Sequence, residues 1–503
     1  MKKLFVIISI SLMLISLLLV ISCDLFNFSE AQGNFWAVNT RNNIPYKVSA
    51  DLIYEGIHCY VWVEKGSGGT YEQAKKLADA FDADIYQKMK DAFGVDIDYE
   101  RIKNLFIDSF NPGKNTLNTM ELTDLLGDDD GKLCILMLDI KDNYKKDVND
   151  SYVAGYFSPN DFLNVPYSNK RDMIYIDTNP GMKDFDEDFD SIKKTLAHEM
   201  QHMMNFISTI AIRWDRESSN IAPFLMDTWI DEGLSSAAEY IIDEKHLKGR
   251  VDYYTNGNYG LIGKGNNFFV WGNREKEDQY AILDDYATVY LFFQWLRLQS
   301  DKDKGVYGDI IVSEYSDYKA VFNTMKDDSF YLHWEYLLGT WLAANYINNT
   351  SGPYGYMNDE ILSSIKVPAP SSLGTSVLLF PGEGVYSTTT SAPSISGQGT
   401  NIRNLYLLYE VQNNYFQDSI LLTFNANINK EGATETGVTT GTPAGAPPKS
   451  SMSTDISSGS RSVQSSILSG PYRIDARDML RRNGHEFSVF DFSGSLRGAR
   501  IVE

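Results

Sequence analysis

The stretch Leu196-Ala197-His198-Glu199-Met200-Gln201-His202-Met203-Met204-Asn205-Phe206 decides how this chain is read, together with Trp229-Ile230-Asp231-Glu232-Gly233 further on. An α-helix turns once in about 3.6 residues, so His198 and His202 fall on one face and can grip one metal ion, with Glu199 angled toward the ion's open side. The flanks support a helix over residues 191 to 208, where Ile192, Leu196, Met203 and Phe206 form an apolar side and Asp190 or Ser191 can cap the start. A second helix is expected over residues 226 to 242. Met226, Ile230, Ala237 and Ile241 form its stripe, and Glu232 is followed two turns later by Glu239.

A catalytic zinc takes three protein ligands and keeps one position open. His198, His202 and Glu232 supply such a set for one Zn2+ per chain, with Asp231 and Glu239 as rival carboxylates for the third place. Two neutral imidazoles and one carboxylate leave a charge of about +1, enough to bring the pKa of water toward roughly 7. Glu199 then has the position of a general base that takes the water's proton and passes it to a leaving amine. The implied chemistry is hydrolysis of peptide bonds.

His198-Glu199-x-x-His202 with a distant Trp-x-x-Glu-Gly resembles the gluzincin metallopeptidases. Further stretches resemble the hyicolysin family of bacterial zinc metallopeptidases: Gly155-Tyr156-Phe157, Ser168-Asn169-Lys170-Arg171-Asp172-Met173-Ile174-Tyr175-Ile176-Asp177, the motif helix itself, and Tyr286-Ala287-Thr288-Val289-Tyr290-Leu291-Phe292. The resemblance covers about residues 130 to 300. It implies Glu232 as the third ligand and Asp231 facing elsewhere. Glu239 matches a glutamate that, in related aminopeptidases, supports the site or faces substrate. Ser235 and Ser236 stand where thermolysin-like enzymes carry an aspartate that orients a zinc histidine, so the pattern departs there and that carboxylate must come from another position. An oxyanion also needs a donor. Tyr286 resembles the transition-state tyrosine of the aminopeptidase relatives, Tyr290 competes one turn on, and packing in an aromatic helix is the rival reading of both. His246 and His333 are weaker candidates.

Residues 1 to 22 run from Met1-Lys2-Lys3 through an almost unbroken apolar stretch to Ser22, and Cys23 follows. The pattern resembles a bacterial lipoprotein signal, which implies acylation, palmitate included, at Cys23 and a chain tethered to the cell envelope by lipid, facing periplasm or cell surface. An uncleaved membrane anchor is the rival reading. Loss of two lysines with the leader takes the formal charge from −22 to −24. That acidity argues against nucleic acid as a partner. Cys134 lies inside the apolar run LCILMLDI and reads as a buried, unbridged thiol rather than a partner for Cys59.

The expected class is α+β: a zincin-like metallopeptidase domain over residues 35 to 350, after a stalk at 23 to 34, with a β-rich accessory domain over 351 to 503. Strand-like runs occupy 35 to 65, a helix 70 to 93, strands 133 to 140, 152 to 157 and 173 to 178, and helices 284 to 299 and 331 to 347. The strand at Met173 to Thr178 is the expected sheet edge along which an extended peptide could add. Residues 253 to 273 have no clear period and read as a loop, either a lid near the site or a surface excursion. Residues 431 to 470 read as a linker. Asp128-Asp129-Asp130-Gly131 lacks the alternating spacing of a calcium loop and reads as a tight turn. These readings lead to a lipid-anchored extracytoplasmic zinc metallopeptidase, an endopeptidase acting on proteins or peptides. The alternatives are an aminopeptidase, which needs a carboxylate for the substrate's amine, and a catalytically silent zincin-fold lipoprotein that binds a partner at the surface.

Overall fold

The burial of Cys59-Tyr60-Val61-Trp62-Val63-Glu64 alternates residue by residue, as a strand with unequal faces requires, whereas Leu133–Leu138 and Met173–Asp177 are buried throughout. The computed structural model describes residues 32–95, 131–142, 144–146, 152–162, 166–214, 221–256, 262–266, 268–272, 281–326, 333–365, 367, 377–388, 395–397, 401–407, 410–411, 415–416, 420–429 and 500–502. The leader, Cys23, most of the stalk, Asp128 to Asp130 and the 431–470 segment lie outside the described residues.

Strands β1 (Gln32–Asn39) and β2 (Ile44–Glu55) form an antiparallel hairpin, and β2 pairs antiparallel with β3 (Cys59–Glu64). From there the direction changes. β3 is parallel to β4 (Leu133–Leu138), and β4 is parallel to β6 (Met173–Asp177). β5 (Tyr152–Phe157) runs antiparallel on the far side of β6, giving the order β1-β2-β3-β4-β6-β5-β14, where β14 is Arg500–Val502. The expectation for Met173 to Thr178 is thereby corrected. β6 is flanked by β4 and β5, so its backbone groups are committed on both sides and it offers no edge. The strand that reverses direction beside it is β5.

One face of the sheet, with Val61, Ile135, Ile174 and Ile176, joins the helices in a single apolar cluster. The other face, with Cys134, Leu136, Tyr156 and Tyr175, forms a second cluster. Cys59 and Cys134 fall in different clusters, and both are buried without a disulfide. The first helical layer is α1 (Tyr71–Ala80), started by a capping box between Thr70 and Gln73, and it runs through a wider turn at Phe81–Ile85 into α2 (Tyr86–Phe93). Gly94, at φ 68°, then ends the helix in the left-handed conformation that glycine adopts without strain.

After the sheet the chain is helical: α3 (Phe189–Ser208), α4 (Thr228–Asp243), α5 (Lys248–Asn256), α6 (Ile262–Gly265), α7 (Ala281–Gln299), α8 (Gly305–Ile311), α9 (Tyr318–Met325) and α10 (Trp334–Ile347). Beyond residue 350 the described elements are mostly short strands: β7 (Val377–Leu379), β8 (Gly384–Thr388), β9 (Ile395–Gly397), β10 (Ile402–Leu407), β11 (Glu410–Val411), β12 (Tyr415–Phe416) and β13 (Ile420–Asn425). β10, β13 and β8 make a three-stranded sheet beside α10. There the Tyr386 hydroxyl donates to the Leu342 carbonyl at 2.6 Å. A sheet followed by the two motif helices, then more helices, then a β-rich portion is a zincin-like α+β arrangement. Among the described residues no helix is long and apolar enough to cross a membrane.

Candidate active site

Every residue of α3 from Thr195 to Ser208 is buried, so this helix runs through the interior with polar groups that each need a partner. Its polar side faces α4. His198 and His202 sit one turn apart with ring centroids 4.9 Å apart, and Glu232 on α4 points its carboxylate between them. The Glu232 Oε2 atom is 3.5 Å from His198 Nε2 and 3.8 Å from His202 Nε2. All three atoms are buried and make no hydrogen bond. Such burial is costly unless something else satisfies the group. A tetrahedral ion with ligands at about 2.0–2.1 Å sets neighbouring donors roughly 3.3–3.4 Å apart, close to what these side chains already adopt. The donor set therefore fits a metal ion. Glu199, the residue after His198, is fully buried beside them.

The other nitrogen of each imidazole faces a carboxylate. Glu239 Oε1 lies 3.0 Å from His198 Nδ1, and Asp231 Oδ1 lies 3.1 Å from His202 Nδ1. The expectation that Asp231 faces elsewhere is corrected. His202 is one turn further along α3 than His198, so it meets α4 at a different angular position, and the residue next to Glu232 is the one that reaches it. The carboxylates missing from Ser235 and Ser236 are thus Asp231 and Glu239. Ser235 retains a part, since its hydroxyl lies 3.1 Å from His202 Nδ1 and donates to Gln201 Oε1.

Asp231 is itself held by a chain that single-helix reasoning did not reveal. Asn205 Nδ2 donates to Asp231 at 2.5 Å, while Asn205 Oδ1 accepts from the Arg213 guanidinium at 3.0 Å. The arginine fixes which way the amide points, so its NH2 must face the carboxylate. Arg213 also donates to the carbonyls of Ile311 and Ser313, anchoring the chain to the end of α8.

Trp229 and Gly233 act through packing. Trp229 is surrounded by Phe268, Phe269, Phe292, Phe293 and Trp334. Gly233 lets α7 approach: a Cβ there would lie 2.2 Å from the Phe293 ring. Much of the described part of the 253–273 stretch is packed. Phe268, Phe269 and Val270 are buried, the Gly272 N–H donates to Asp285 at 2.7 Å, and Trp271 lies edge-on to Tyr286 with centroids 5.0 Å apart.

Tyr286, near the start of α7, is buried with the Arg250 guanidinium 4.6 Å from its ring centroid. Burial first, then the negative charge of Glu232, hold its phenol well above the ordinary range, with Arg250 opposing; the hydroxyl stays protonated and able to donate. Tyr290 is placed differently. Its hydroxyl meets His246 Nδ1 at 2.9 Å and accepts from the Leu247 N–H, and His246 in turn contacts Asp359 at 2.9 Å. His333 lies at the start of α10, its ring tilted 34° against that of Tyr336 with centroids 5.8 Å apart. Burial would depress His198, but Glu232, Glu239 and Glu199 outweigh it and raise its pKa to about 10. A group of this kind binds a cation in competition with a proton.

No family model matches the sequence. Over 294 residues the chain is 32% identical to a neutral metalloprotease, ShpI, from Staphylococcus hyicus. The chain resembles a bacterial zinc metallopeptidase. The matched segment is 58% of this chain and 57% of that relative, so the likeness spans little more than half of either protein.

Proposed function

We propose that the protein is a zinc-dependent endopeptidase of the bacterial cell envelope, tethered through lipid on Cys23, that hydrolyses peptide bonds in proteins or peptides. The observation that carries this reading is the set of three buried, unbonded ligand atoms on His198, His202 and Glu232 with Glu199 beside them. The metalloprotease likeness supports it. When bound, zinc supplies Lewis acidity, lowering the pKa of water toward about 7 and polarising a peptide carbonyl. The residues do the rest. Glu199 takes the proton of the attacking water and returns it to the leaving amine. Tyr286 donates a hydrogen bond to the oxyanion, and Glu239 and Asp231 keep both imidazoles presenting Nε2. Glu239 is 2% exposed and engaged with His198, which leaves it poorly placed to capture a substrate's free amine and favours internal cleavage over aminopeptidase action.

The test is zinc content and cleavage of a mixed protein substrate by the chain starting at residue 24, beside its Glu199→Gln form. Cleavage should fall about 10²–10⁴-fold in the variant while zinc stays near one per chain, since only the proton transfer is removed. Zinc without cleavage in either form would point to a surface binding protein instead, and absence of zinc would remove the site assignment. For the tether, the full chain should take up a labelled fatty acid and Cys23→Ser should not, and equal labelling of the two would remove the lipid assignment.

A further inference from the structure

β5 is bonded on one side only by a neighbour in the main run of the sheet. Gly155, Tyr156 and Phe157 pair with Ile176, Tyr175 and Ile174 of β6, leaving the opposite row of N–H and C=O groups to be filled from elsewhere. β5 itself packs against the motif helix. A Cβ on Gly155 would stand 3.0 Å from Thr195 Cγ2, and Thr195 is one turn before His198 and Glu199. The outer edge of β5 is therefore a strand edge alongside the metal-ligand helix, where an extended peptide can add through backbone hydrogen bonds.

This edge is taken by the chain itself. Val502, Ile501 and Arg500 pair antiparallel with Tyr152, Val153 and Gly155, and β14 also contacts α3. The register shifts between Arg500 and Ile501, so Ala154 is passed over and β5 bulges where it meets the helix. Two features suit the segment to this place. Ile501 and Val502 are β-branched and favour an extended backbone. A three-residue ladder is also short enough for a longer strand to displace.

We propose that Arg500–Val502 is a built-in pseudosubstrate strand, holding the edge of β5 along which the peptide substrate binds. The proposal rests on the peptidase reading above. Substrate and β14 compete for one row of hydrogen bonds, so the substrate-ready fraction of the protein is the fraction in which β14 has left β5.

Ile501→Pro in the full chain removes a backbone donor and cannot hold a place in the ladder, while leaving His198, Glu199, His202 and Glu232 untouched. If β14 occupies β5 in about 70–90% of molecules, the variant's KM for a peptide substrate should fall roughly 3- to 10-fold with kcat unchanged. Hydrogen exchange at the β5 amides should quicken at the same time. A synthetic peptide with the sequence from Ala499 to Glu503 should inhibit the variant competitively. Unchanged exchange at β5, or an unchanged KM, overturns the proposal. If neither form cleaves any peptide the peptidase reading fails separately, and the labelled peptide still decides: binding to the variant but not to the native chain upholds the pairing, and equal or absent binding rejects it.

Discussion

Two imidazoles can share one ion only if both present the correct nitrogen, and here that choice is made by carboxylates on the facing helix. Glu239 takes His198 Nδ1 and Asp231 takes His202 Nδ1, which turns both Nε2 atoms toward Glu232. Glu239→Gln and Asp231→Asn should each lower zinc affinity by about 10–100-fold while the chain stays folded. Titration against a chelator of known affinity measures this, and an unchanged constant would show that the carboxylates do not orient the ligands. Tyr286→Phe should retain zinc and lose about 10²-fold in kcat. Tyr290→Phe should leave kcat alone and lower the melting temperature, because its hydroxyl joins His246 to the Leu247 N–H. At this scale the sequence shows what one helix can show. Spacing on α3 placed His198, Glu199 and His202, whereas the role of Asp231 depends on how α3 and α4 lie against each other, which no spacing within either helix encodes.

At the scale of elements, the position of Glu232 depends on how closely α4 approaches α7. Gly233 makes that approach possible, since its absent side chain leaves room for the Phe293 ring. Gly233→Ala should cost about 1–3 kcal/mol by overpacking, and it should also weaken zinc binding because α4 is pushed away from its seat. Adding Phe293→Leu should recover part of both losses. A variant as stable and as tightly zinc-bound as the native chain would mean that α7 yields without moving α4. The glycine of Trp229-x-x-Glu232-Gly233 was visible in the sequence as a motif letter, but its reason is a ring on another helix. The order of β5 and β6 was equally hidden. Both strands are buried nearly throughout, and apolar runs announce burial without saying which strand stands outside the other.

For the whole molecule, the change in composition after residue 350 marked a β-rich portion but not its contacts. Phe424 of β13 lies against Gly339 of α10, and Tyr386 of β8 bonds Leu342, so these strands share the apolar cluster of the helical layer. Polar ties run across the sheet as well. Asp161 accepts from the Tyr175 hydroxyl at 2.7 Å and from the Asn169 N–H at 2.8 Å, and Asn169 exchanges hydrogen bonds with the Trp36 backbone of β1. Burial, opposed by those hydrogen bonds, raises the Asp161 pKa to about 7, and Asp177 is likewise raised to about 7. A carboxyl raised in the folded state favours folding most where both states hold the proton. Its contribution is complete below the unfolded value of about 3.9 and is lost as pH rises through about 7. The metal-free chain should therefore lose this part of its stability between about pH 4 and 7. Asp161→Asn, which stays neutral throughout, should show a flatter dependence of melting temperature on pH over that window than the native chain. Parallel curves for the two proteins would mean that Asp161 is already ionised in the fold and held so by Tyr175 and Asn169.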